Sequence, residues 1–242
     1  LYKLIQSQPV FLRGGTVPRA LPLLLLGVFF LVGCEKGDDD KVARAQACLD
    51  SATNVTASQC ETIVEGVTGA GAAAIRCSVA FITQGFTATR FANAFVALKT
   101  QTAGQNATLA MMAYLVFNVG SSNADRITRA NTAVSHCTET GLGGMMMFAN
   151  FAKASTILAA GMSPALTLDS ANPPTPAQLQ ANLASFTGSD ADLGSAITGV
   201  ASIYCGPTSS TNTATFCGPV NSASVSGTPA QVGAAFRALL TP

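Results

Sequence analysis

Leu142–Met162 reads LGGMMMFANFAKASTILAAGM, and the architecture can be argued outward from it. The stretch is uncharged except for Lys153 and is apolar on almost every side of a helix. A helix of that kind is either surrounded by other helices or embedded in a bilayer. A membrane span would place Lys153 near the bilayer centre, at about 2.5–3.5 kcal/mol, with Asn150 adding to the cost. The stretch therefore reads as a central core helix that neighbouring helices must cover.

Those neighbours are visible on both sides. Phe91/Ala94/Phe95/Leu98 and Leu109/Met112/Ala113/Val116/Phe117 recur at helical spacing. So do Ile75/Val79/Ile82/Phe86, Leu193/Ile197/Val200/Ala201/Tyr204 and Val232/Phe236/Leu239/Leu240. Thr56-Ala57-Ser58-Gln59, Thr175-Pro176-Ala177-Gln178 and Thr228-Pro229-Ala230-Gln231 share one start pattern. In it Thr caps free N–H groups, Gln returns a bond from three residues on, and Pro twice takes the first helical position.

The expected helices are 41–50, 57–67, 70–85, 88–100, 105–119, 124–137, 143–160, 176–186, 190–204 and 229–240. The fold class is all-α: a compact array of antiparallel helical hairpins joined by short turns. Residues 42–162 form the main helical part. Residues 163–242 supply C-terminal helices and a disulfide loop packed on it. Two weak breaks appear, the proline-bearing Ser163–Pro176 and the Ser/Thr/Gly/Pro-rich loop Cys205–Thr228. No 34-residue repeat of the tetratricopeptide kind is present.

The chain has 242 residues with 13 Lys+Arg, 12 Asp+Glu, one His and no Trp. Charged residues are 10% of it, against roughly 25% in an ordinary soluble domain. A net charge of +1 leaves no electrostatic footprint for nucleic acid. Of the seven cysteines, Cys48–Cys60 and Cys205–Cys217 share a spacing of 12 and flank turn-rich segments. Pairing within each spacing leaves Cys77–Cys137 as a long-range staple, one choice among 15 connectivities. There is no CxxC, and a single His cannot complete an ordinary zinc set, so structural disulfides are expected and no metal.

The seventh cysteine stands apart. Arg13 and Arg19 precede an uncharged run, Ala20–Gly33 (ALPLLLLGVFFLVG), of 14 residues. A spanning helix needs about 20, so the run has the length of a signal-peptide apolar region. Its end, Leu31-Val32-Gly33-Cys34, resembles the lipobox of bacterial lipoprotein precursors. That resemblance covers about the first 40 residues. It implies a diacylglycerol on the Cys34 sulfur, cleavage by signal peptidase II between Gly33 and Cys34, and an acyl chain on the new amine. Nearly 20 residues precede the apolar run, which is long for that family, and initiation at Val17 is the expectation.

Residues 1–33 are then the signal peptide and 34–41 a lipidated tether, Cys34-Glu35-Lys36-Gly37-Asp38-Asp39-Asp40-Lys41. Cleavage removes Lys3, Arg13 and Arg19 and no acid, leaving 10 Lys+Arg against 12 Asp+Glu. Glu35, where an Asp would favour inner-membrane retention in that family, points to the outer membrane.

Catalytic material is scarce. His136 beside Cys137, with Glu139 near, is the one place for nucleophile chemistry, yet adjacent helical residues diverge by about 100°. No G-x-S-x-G surrounds any serine. Met111, Met112 and Met145–Met147 spread around their helices as core filling rather than converging as a copper site. Asp125, Glu139, Asp169, Asp190 and Asp192 are expected at helix starts or turns. The glycines at 66, 69 and 71 and at 141, 143 and 144 follow no strand and cradle no nucleotide.

The expectation is a lipid-anchored envelope protein without catalytic activity, a binding or scaffold module. Its partners are the bilayer, through Cys34, and an envelope protein, with no cofactor beyond the acyl chains. The alternatives are a hydrolase or a small apolar-ligand carrier, with a site near His136 or beside Leu142–Met162.

Overall fold

The computed structural model describes residues 36–99, 111–162, 176–183, 185–205 and 214–240. They are all-α. In chain order the helices are α1 Lys36–Asp50, α2 Ala57–Thr62, α3 Ala70–Ile82, α4 Ala88–Lys99, α5 Asn123–Glu139, α6 Gly143–Gly161, α7 Pro176–Leu183, α8 Asp190–Tyr204, α9 Ala214–Ser226 and α10 Pro229–Leu240.

Helix α6 is the axis. It packs on α5 at one side and α8 at another, and from Ala149 onward almost every residue is buried. Its polar side chains stay satisfied inside the core by turning back on the helix. Asn150 Nδ2 donates to the Met146 carbonyl (2.8 Å), Ser155 Oγ to Phe151 (2.8 Å) and Thr156 Oγ1 to Ala152 (2.7 Å). Gly199 on α8 makes room for this arrangement, since a Cβ there would stand 2.5 Å from Asn150 Oδ1. No described helix is long and apolar enough to cross a membrane.

The α5–α6 connection is a tight hairpin. Gly141 takes the left-handed conformation (φ 68°), which a side chain would disfavour. Thr140 Oγ1 donates to the Cys137 carbonyl (2.6 Å) and accepts from Leu142 N–H (3.0 Å). Helices α8 and α10 cross backbone to backbone at Gly194 and Gly233. A Cβ on Gly194 would overlap the Pro229 carbonyl, and one on Gly233 the Asp190 carbonyl. Arg237 clamps the same crossing, bidentate to Asp190 (2.7 and 2.8 Å) and over the Phe186 ring.

Helices before and after residue 163 share one core. It joins Phe81, Phe117, Ile157 and Leu158 with Leu193, Ile197, Val232 and Phe236. A second, smaller cluster is built from Ala45 and Leu49 of α1, Ala57 and Cys60 of α2, Val64, Val67, and Ala72, Ile75 and Val79 of α3. Helix α3 faces both, with Cys77 and Phe81 turned to the main core. Disulfides join Cys48 to Cys60, Cys77 to Cys137 and Cys205 to Cys217, with Cα separations of 5.5, 4.9 and 5.5 Å. They tie α1 to α2, α3 to α5, and the end of α8 to α9.

Four expectations are corrected. Of the helix expected over 105–119, residues 105–110 lie outside the described residues, Met111–Ala113 are helical as expected, and the chain leaves the helix in a turn at Tyr114–Leu115 and is irregular through Val116–Val119. The expected loop Cys205–Thr228 contains α9, which carries Pro219 inside it. Cys217 is anchored by its disulfide and Val220 is wholly buried, and together these outweigh the roughly 3 kcal/mol an internal proline costs. The tether residues 36–41 belong to α1, where Asp38 and Asp39 lie at the favourable end of the dipole and Lys41 Nζ reaches Asp38 at 3.6 Å. Thr56 does not cap α2; its Oγ1 accepts from Thr53 N–H instead (2.9 Å). At α10 the glutamine limb of the start pattern does form, Thr228 N–H donating to Gln231 Oε1 (2.7 Å).

Two stability outcomes follow from this packing. Gly233→Ala should lose at least about 1–3 kcal/mol, because a carbonyl of a packed helix cannot rotate out of the way. Replacing Cys77 and Cys137 by Ala should cost about 4 kcal/mol from the loop it reopens. Urea unfolding of each variant checks both; a midpoint unchanged in either case contradicts the corresponding assignment.

Candidate functional site

Gly33 and Cys34, with Leu31 and Val32, lie outside the described residues. So does Asp169. The remaining candidates can be placed.

His136 sits in the last turns of α5, half-buried, with its Nδ1 sealed from solvent and without a hydrogen-bond partner. Its neighbour Cys137 is fully buried and bonded to Cys77, so that sulfur is no nucleophile. Glu139 closes α5 and receives a hydrogen bond from Ser135 Oγ (3.4 Å). The structure therefore does not assemble a nucleophile, base and acid here. Nor do the described residues hold any group of three His, Cys, Asp or Glu suited to a metal ion.

Asp125, Asp190 and Asp192 occupy first turns as expected, whereas Glu139 stands at a C-terminal end. Asp125 is held below its ordinary carboxylate range, first by the Ser121 N–H (3.0 Å) and then by Arg129. Of the methionines, Met112 and Met162 are buried and Met145–Met147 are half-buried on the first turns of α6. Met112 and Met162 line a cavity beside α6 with Ala113, Val116, Ser155, Leu158 and Ala159. Its volume is about 10 Å³, room for about one water rather than for a ligand.

The most constrained polar group in the core is one that sequence reasoning missed. Arg90, in the first turn of α4, is buried, and among the described residues no carboxylate is a hydrogen-bond partner of it. Its Nε donates to the Tyr114 carbonyl (2.8 Å), Nη1 to Gln84 (2.9 Å) and Nη2 to Val116 (2.6 Å). The guanidinium lies over the Phe86 ring, 4.2 Å from its centre. Burial pushes its pKa down to about 10, still far above neutrality, so it remains charged.

These three carbonyls belong to the turn after α3 and to the Tyr114–Val119 segment, whose N–H groups are also met by side chains. Phe117 N–H donates to Thr156 Oγ1 (2.9 Å) and Val119 N–H to Gln84 Oε1 (3.1 Å). An irregular, non-helical peptide thus crosses the helical core with its backbone paired by Gln84, Arg90 and Thr156. Around it Phe81, Phe86 and Phe117 pack with ring centres 5.1–5.5 Å apart, and Phe148 stands 5.1 Å from Phe81. The sequence signal for this clamp is slight: a lone Arg set between Phe86 and Phe91.

The arrangement is structural chemistry: it terminates backbone groups and offers no reacting atom. No protein-family model, curated protein or solved structure matches the chain. Arg90→Met keeps the bulk and strands three carbonyls, so it should cost at least about 3 kcal/mol. A chemical-denaturation midpoint within error of the unaltered protein would refute the clamp.

Proposed function

We propose that this chain is a lipid-anchored protein of a bacterial cell envelope, acting as a non-catalytic binding or scaffold module. The observation that carries the proposal is the Leu31-Val32-Gly33-Cys34 lipobox at the end of a cation-flanked, uncharged 14-residue run. The thiolate of Cys34 takes a diacylglycerol, the peptide bond after Gly33 is cut, and the freed amine is acylated. Several chains anchor stably where one would be marginal. Glu35 favours delivery to the outer membrane where the cell has one.

Support for an oxidising compartment comes from the other six cysteines, all of which are in disulfides. Support for a binding rather than catalytic role comes from His136, whose neighbouring cysteine is spent on a disulfide. The surface sparse in charge suits short-range docking to an envelope protein more than long-range steering.

Expression in a bacterium that processes lipoproteins, with a clickable fatty acid in the medium, tests the anchor. The unaltered chain should be labelled and sediment with membranes, and Cys34→Ala should be unlabelled and unprocessed. A native mass equal to the unmodified polypeptide from before Val32 would overturn the anchor. Ester or peptide hydrolysis that His136→Ala abolishes would overturn the non-catalytic role.

A further inference from the structure

The three disulfides differ in what they hold. Cys77 and Cys137 are both completely buried where α3 meets α5 in the main core. Cys205 is half-buried, and the helices it joins, α8 and α9, also pack on each other and on α10. Cys48, on α1, is half-buried like Cys205, but among the described residues α1 has little else to hold it.

Among the described residues, only Ala45 and Leu49 of that helix are buried. Val42 adds a partly buried contact, close to Gly71 of α3. All three lie in the small second cluster and none in the main core. Among the described residues, the polar side-chain contacts of α1 also stay local: Lys41 with Asp38, Gln46 with Asp50, and Ser51 with the Cys48 carbonyl. Helix α2 is better secured. It packs on α3, and Arg76 Nη2 of α3 donates to the Val64 (2.9 Å) and Val67 (2.7 Å) carbonyls just beyond it.

We propose that the Cys48–Cys60 disulfide is a redox latch whose opening by a dithiol releases α1 while the α3–α10 core stays folded. A thiolate of the dithiol attacks the sulfur of Cys48, the less buried of the two residues, and Cys60 leaves as thiolate and takes up a proton. The second thiol of the reductant then resolves the mixed disulfide. Two electrons and two protons pass to Cys48 and Cys60, and the reductant leaves as its own disulfide.

Release changes reach. Helix α1 is about 22 Å long at 1.5 Å per residue. Residues 36–56 as an extended chain span at most about 70 Å. On a protein anchored at Cys34 the latch would therefore set how far the domain stands from the membrane. That last consequence rests on the anchoring proposal; the latch itself does not, and its test needs no lipid.

Oxidised full-length protein is titrated with dithiothreitol in native buffer, free thiols are alkylated at each step, and peptides are mapped alongside amide exchange. Cys48 and Cys60 should become alkylated at a concentration about tenfold or more below that needed for Cys77 and Cys137. At that point amides of α1 should exchange freely, with α5 and α6 still protected. The Cys48→Ser/Cys60→Ser variant should show the same exchange pattern without reductant. The latch is refuted if Cys77 and Cys137 open at the same concentration, if α1 stays protected after Cys48 and Cys60 react, or if α5 and α6 lose protection together with it.

Discussion

Burial of α6 on nearly all sides is the constraint from which the rest of the architecture follows. A helix that buries Phe151, Thr156 and Ile157, spread around its circumference, cannot lie on a surface, so other elements must close around it. Helices α5 and α8 flank it, α3 is stapled to α5 by Cys77–Cys137, and α10 lies against α8 through Gly194 and Gly233. Such closure leaves no water to satisfy buried polar atoms. Serine, threonine and asparagine inside α6 therefore bond to their own helix, and the irregular segment Tyr114–Val119 in the main core is met by side chains.

Arg90 shows how that demand is met in a chain with few charges. Three main-chain carbonyls converge where neither helix nor strand can supply N–H donors. A guanidinium offers five donors in a rigid fork, more than any neutral side chain, and its flat face tolerates an aromatic ring. The buried charge is disfavoured in itself, as the depressed pKa records, but the three carbonyls would be costlier unpaired. Arg76 repeats the device at smaller scale at the turn after α2. Both cations act as termini for main chain, which explains why basic residues here need not signal an acidic partner.

How much of this was legible in the sequence depended on range. The stripes of α3, α8 and α10 and the core character of Leu142–Met162 are local periodicities, and they survive folding because the same faces are buried. The equal spacing of Cys48–Cys60 and Cys205–Cys217 was likewise a local cue. Val116 and Phe117 continue the helical stripe of Leu109, Met112 and Ala113 yet are not helical, because Arg90, Gln84 and Thr156 offer the backbone there other partners from far along the chain. Helix α9 was hidden by Pro219 and by serines and threonines that read as loop. What orders it is Val220 in the main core and the bond to Cys205. His136 drew attention as the lone histidine, yet its surroundings were set by a disulfide that occupies the adjacent cysteine.

The same economy of charge governs the outer faces. On α5, Thr128 and Thr132 hydroxyls donate to the carbonyls of Ala124 and Thr128 (3.0 and 3.1 Å); on α8, Ser195 and Ser202 do likewise to Ala191 and Gly199 (both 2.9 Å). A hydroxyl engaged with its own helix keeps acceptor lone pairs outward but has already placed its proton. These faces thus carry little net charge and direct acceptors toward whatever approaches. A partner matched to them would bring donors and shape rather than opposite charge, and its association would depend weakly on salt. Were the chain anchored at Cys34 as proposed, confinement to one surface would raise the effective concentration of a membrane-bound partner, and contacts weak in solution would then suffice. On that proposal a face of low net charge and membrane confinement would be complementary, the second supplying the encounter rate that the first gives up.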